Sequence, residues 1–312
     1  MAKAPTAPKT DTPNPPAPAA PVVETTALAT QGTTALAEFE DYGEYAGRGY
    51  EGQDARDLKI PIIAVLQPGS PQVKPGDPKH VKGAAASMFY NPITGRLWEG
   101  VETGIVIVPI MSMRAMAEYT PRDKGGGYQG QHAMNSPIVI EAMRRARETN
   151  AKFGKYQTQG GNDLVETVYL SLLHMIEGAD SEAFEPGVLA FKSTAHKLFQ
   201  TWNTNTSSYR HIRKDPATGN VIARQQIPMF GHLVNAKAKY ESNAQGSWYN
   251  PVLSPARGDI ASSLLKTSSA AFQYAANLLD QIEAGRVEVD HSADQQGHDG
   301  GEGTAEKANA AF

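Results

Sequence analysis

The sequence has no cysteine. Disulfides, thiolate zinc sites and cysteine nucleophiles are excluded together, a composition that fits a reducing compartment. No stretch approaches the roughly 18 consecutive apolar residues of a membrane-spanning helix. The N-terminus lacks a basic-then-apolar signal pattern, so nothing marks the chain for export and a cytoplasmic location is expected. There is no Walker-type lysine loop, no His-Glu-x-x-His and no Gly-x-Ser-x-Gly elbow, so an enzyme is not expected, nor a cofactor. "GGGYQG" (125–130) has Gly-x-Gly-x-x-Gly spacing, but "TPRDK" parts it from the preceding strand and residues 131–135 part it from the next helix. No helix N-terminus would then meet a pyrophosphate, and a mobile loop with Arg122 and Lys124 at its base is expected instead. The eight histidines are scattered without metal-ligand spacing. Asp163, Glu166 and Glu177 lack a catalytic base beside them and read as surface charges rather than a Mg²⁺ site.

What is present is an uneven charge distribution. Residues 1–36 are rich in Pro, Ala and Thr and carry no net charge; residues 37–57 hold seven acids against two bases. Residues 287–312 hold six acids against one base. The middle, 58–286, holds 24 bases and 18 acids, net +6, although the whole chain is −4. A basic body between two acidic arms suits a polyanion binder whose arms compete for its own site; solubilising tails are the plainer reading. The arms have too few large apolar residues to offset the entropy of ordering, so 1–57 and 287–312 are expected to be disordered.

Within 58–286, "IPIIAVLQ" (60–67) reads as a strand and residues 87–100 as a hairpin around Asn-Pro-x-x-Gly. Residues 104–122 form a long β-like stretch that Pro109 makes an edge or bulged strand. Residues 136–150 predict a helix with Ser136 as N-cap and Pro137 in its first position. Residues 163–178 are ambiguous between strand and helix; 187–191 suggest a strand that turns helical through Ala195, Leu198, Phe199 and Trp202. The clearest hairpin is 232–253. Val234, Ala236, Ala238 and Tyr240 fall on one side and Asn235, Lys237 and Lys239 on the other. Residues 259–285 predict a C-terminal helix capped by Asp259. Short strands and frequent Gly/Pro turns indicate an α+β or mainly β body; a small OB-like β-barrel with added helices and long loops suits the pattern, and periodicity does not separate it from a sandwich.

Basic and aromatic residues interleave in three places. One holds Lys192, Lys197, Trp202, Tyr209, Arg210, Arg213 and Lys214; the second Arg114, Tyr119, Arg122 and Lys124; the third Lys237, Lys239, Tyr240, Trp248 and Tyr249. Unpaired nucleic acid calls for this combination, because cations follow phosphates and flat rings stack on bases of any identity. The competing expectation is that the tryptophans are core and the lysines solvent decoration.

The terminus "DHSADQQGHDGGEGTAEKANAAF" resembles the acid-biased, Phe-terminated tails of bacterial single-stranded DNA-binding proteins and their counterparts in T7-like phages. "IPIIAVLQPGSPQV", "FYNPITGRLW" and "QGSWYNP" resemble segments of tailed-phage early proteins, some of them single-stranded DNA-binding. The resemblance implies an OB-like fold and sequence-nonspecific single-stranded DNA binding in replication or recombination, in the host cell cytoplasm. It implies that Phe312, with Glu302 and Glu306 as acidic neighbours, docks replication proteins such as polymerase or helicase/primase, and that the tail competes with DNA. A homo-oligomer is compatible with it. The alternatives are a phage structural or assembly protein and a strand-annealing recombination protein.

Overall fold

The computed structural model describes residues 59–286 and 288–290, except 152–154, 181 and 244–245. All of them fall in a unit spanning residues 53–312. The arms expected at 1–57 and beyond 290 lie outside the described residues. The disordered arm expected from 287 is corrected at its start: Glu288–Asp290 is a strand, β14, paired in parallel with β1 (Lys59–Pro61).

The centre is a seven-stranded sheet built on β5 (Ile105–Tyr119) and β8 (Asp163–Met175). On its other edge β5 takes β12 (Val234–Asn243) at its start and β6 (Tyr128–Ala133) at its end. β13 (Gly246–Pro255) continues beyond β12, while β7 (Tyr156–Gln157) and β9 (Phe184–Lys192) lie against β8. Every pairing in this sheet is antiparallel. Pro109 has no N–H to give the ladder, and the register with β8 shifts between Pro109 and Met111 to absorb it. The bulge is as expected, but β5 is the most central strand rather than an edge.

Both faces of the sheet are covered, which explains why 163–178 shows no clean alternation. Val168, Leu170 and Leu172 face one core with Phe199 and Trp202 of α2 (Ala195–Ser208). Tyr169 and Leu173 face the other with Ala271, Ala275 and Leu278 of α3 (Ala270–Glu283). A strand buried on both sides reads as a continuous apolar run. A third helix, α1 (Pro137–Glu148), packs Val139 and Ala142 on Met116 and Leu164; Ser136 caps it by accepting from the Val139 N–H, with Pro137 in the first turn. The C-terminal helix starts later than expected. Its N-cap is Ser269, which accepts from Phe272 N, and not Asp259. Asp259 instead closes a turn on Ser262, and the backbone of 264–265 is taken by a bridge to His232 and a bond to Gly231 O.

Two smaller sheets complete the body: β2 (Ala64–Val65), β3 (Phe89–Tyr90) and β4 (Leu97–Trp98), and the lone pair β10 (Arg210–Lys214) and β11 (Val221–Gln226). The fold is therefore mainly β with three helices. Among the described residues the main sheet is open, so the expected OB-like closed barrel is not formed. No helix among the described residues is long and apolar enough to cross a membrane.

Candidate nucleic-acid interface

β10 and β11 make a two-stranded ribbon that leaves the C-terminal end of α2 and, among the described residues, pairs with no other strand. All its strand residues are exposed except the half-buried Ala223. The turn "DPATGN" closes it: Gly219 sits at φ +70°, its N–H donates to Asp215 O, and Asp215 N donates to Asn220 O. Asp215 is the one acid between 210 and 226, and the Ala217 N–H on its carboxylate holds it below the usual range. Four cations stand against it: Arg210, Arg213, Lys214 and Arg224. Arg210 folds back to donate to Ser207 O and Tyr209 O at the α2 C-terminus. Arg213, Lys214 and Arg224 have no carboxylate partner among the described residues. Arg224 was not among the expected contacts; the Asp-Pro-x-x-Gly-Asn turn was the signal that would have paired it with Ile212 and brought it in.

The far end of the β12–β13 hairpin gathers the exposed rings. β12 pairs with β5 only through 234–236, and farther along β13 is its strand partner. Tyr240 and Tyr249 lie directly opposite one another, edge to face at 5.5 Å, and Tyr240 is 56% exposed. Trp248 and Tyr249 are half-buried. Trp248 Nε1 and Asn250 Nδ2 both donate to Thr194 Oγ1 at the entry to α2, and Gln67 bonds the Tyr249 backbone through both amide atoms. These contacts fix the hairpin on the body. Lys239 is exposed beside Glu241 at 3.8 Å.

Burial removes the rings of Trp202 and Tyr119 from the expected contacts, and several expected cations are engaged within the body. Trp202 is sealed in the core beside Phe199, 5.7 Å between ring centroids, and cannot stack on a base. Tyr119 is buried, with its hydroxyl accepting from Lys192 Nζ at 2.6 Å. Arg114 is held by Glu166 at 2.8 Å. Lys192 and Arg114 also point to opposite faces of the sheet, because Lys192 pairs with Thr167 and Arg114 reaches its neighbour Glu166. Lys237 donates to Glu102 O in the turn before β5. Lys124 and the backbone of Arg122 lie in a one-turn 3-10 segment between β5 and β6, with "GGGYQG" leading into β6 of that hairpin rather than into a helix. Lys197 is exposed on α2 and Tyr209 is half-buried at its C-cap. Glu302, Glu306 and Phe312 lie outside the described residues.

Of the three interleaved clusters, two form exposed surfaces, the ribbon and the hairpin end. Trp248 meets the start of α2 and the ribbon leaves its end, so the 14 residues of the helix set them about 20 Å apart. Between sheet and helix, burial pushes His196 down against the pull of Glu166, 3.9 Å away.

A family model described as Pam3 phage gp34-like protein matches residues 29–288, which include both surfaces. The chain belongs to the Pam3 phage gp34-like family. Membership makes it a phage protein, and the match runs through the ribbon, the Tyr240 hairpin and the first residue of β14. No curated protein and no solved structure matches this gp34-like chain.

Proposed function

We propose that this gp34-like phage protein binds single-stranded DNA without regard to base sequence, in phage DNA replication or recombination within the host cytoplasm. What separates an unpaired strand from other polyanions is its accessible bases. The observation that carries the reading is accordingly Tyr240, an exposed ring set on Tyr249 at the hairpin end, on the face opposite Lys239 and Trp248. A base stacked there gains roughly 1–3 kcal/mol whatever its identity. The net +6 of residues 58–286 adds the electrostatic share. The proposal takes from the OB-type resemblance the mode of contact and not the closed barrel. The acidic C-terminal arm, ending in Phe312, would compete for the same cations and recruit replication proteins.

Titration with oligo-dT tests this. Affinity should fall steeply with salt, and Tyr240→Ala should weaken binding by about 5- to 150-fold, the range of one stacked base. Binding that is absent, or indifferent to both salt and Tyr240, rejects the proposal. A second reading, an assembly protein, is favoured by exposed Ile212 (48%), Val221 (50%) and Ile222 (53%) on the ribbon. It predicts large assemblies by size-exclusion chromatography and no preference for single strands.

A further inference from the structure

We infer that the β10–β11 ribbon lodges in a groove of duplex nucleic acid, so that the protein engages a junction between paired and unpaired strands. The ribbon bears no Phe, Tyr or Trp; its one ring is His211, and its remaining groups are cationic, aliphatic or polar. Its shape fits a different target. Two strands about 4.8 Å apart with their side chains match a major groove roughly 12 Å wide, which admits a two-stranded ribbon.

The charges are disposed for a groove as well. The register pairs Ile212 with Arg224 and Arg213 with Ala223, so Arg224 and Arg213 stand on opposite faces. A strand lying on a surface uses cations on one face. A groove has phosphates along both walls and rewards cations on both. Ile212 and Ile222, diagonal neighbours at the bulge that follows Arg213, share the face of Arg224 and lie along the same wall. Asp215, the acid that would repel a backbone, is confined to the tip and engaged by its own turn. The length of α2 sets the start of the ribbon about 20 Å from the Thr194 contact of the hairpin, about six base-pair steps of 3.4 Å, enough to place the hairpin on an unpaired flank while the ribbon holds the duplex.

This inference rests on the proposed function for the unpaired flank alone; the duplex contact stands apart from it. The test uses the full chain and three labelled probes read by fluorescence anisotropy: a dT oligonucleotide, a blunt duplex, and that duplex with a dT overhang. The overhang probe should bind at least tenfold more tightly than either simple probe. Arg213→Ala with Arg224→Ala should weaken the duplex and overhang probes tenfold or more and change dT by less than twofold. Both residues are exposed and unpaired, so the fold is retained, with circular dichroism as the check. Tyr240→Ala should weaken the dT and overhang probes and change the blunt duplex by less than twofold. If wild-type protein ignores the duplex, or the double variant weakens dT and duplex equally, the inference falls and the proposed function is untouched. Duplex binding lost in the double variant without any dT binding would sink the proposed function and leave the ribbon contact standing.

Discussion

Trp202 separates a core role from a binding role, and its surroundings give two different magnitudes. The side chain is 5% exposed between Phe199 and the strands of the main sheet. Trp202→Ala should leave a large void and cost about 3–5 kcal/mol of stability. Trp202→Phe is different. The indole Nε1 is buried with no hydrogen-bond partner among the described residues. Phenylalanine keeps most of the ring and removes that donor, whose burial unpaired costs about 1–3 kcal/mol. The lost packing and the removed penalty should nearly cancel, leaving Trp202→Phe within about 1 kcal/mol of wild type. Urea unfolding followed by circular dichroism measures both variants, and oligo-dT titration on Trp202→Phe should give wild-type affinity within twofold. A Trp202→Phe protein with a wild-type unfolding midpoint but tenfold weaker binding would refute the burial argument and restore the ring to the interface.

Three further outcomes follow from particular contacts. Gly100 is buried where an added Cβ would run into the Ser87 carbonyl oxygen, so Gly100→Ala should lower stability by about 1–3 kcal/mol or more in a denaturant titration, and a neutral result would contradict that approach. Ser269→Ala should cost about 1 kcal/mol by removing the cap of α3, while Asp259→Ala should leave the helical signal intact. Burial pushes the pKa values of His174, His196 and His232 down in the folded state. The unfolded chain then binds more protons below about pH 6.5, so stability should be level above that value and fall as pH drops beneath it, by at most about 1.4 kcal/mol per pH unit for each histidine. An unfolding midpoint that stays flat or rises between pH 7 and 5.5 would contradict the neutral, buried rings.

Much of the local structure could be read from the chain. Ser136 and Pro137 announced α1, and the alternation of Val234, Ala236 and Ala238 announced the buried side of β12. The limits have physical causes. Leu264 and Leu265 continue the apolar spacing of α3, but their backbone groups are taken by long-range bonds to His232 and Gly231 that no local pattern reveals. Ala195, Phe199, Trp202 and Thr206 repeat at helical spacing, a signal for an inward stripe that outweighs the nearby lysines and arginines. The partners that occupy Arg114, Lys192 and Lys237 come from strands and turns far away in sequence, so their engagement is a property of the sheet register. The open sheet, too, follows from which strands meet, and strand periodicity does not encode that choice.

Nucleic-acid binding by this chain joins a stacking ring to backbone-neutralising ribbon cations, and the most direct test of the cations is the salt dependence of affinity for the duplex with a dT overhang. Each phosphate neutralised on duplex adds about 0.9 to the slope of log affinity against log salt, so replacing Arg213, Lys214 and Arg224 together by alanine should reduce that slope by about 2.7. A slope that is the same in wild-type and triple-variant protein would contradict the account.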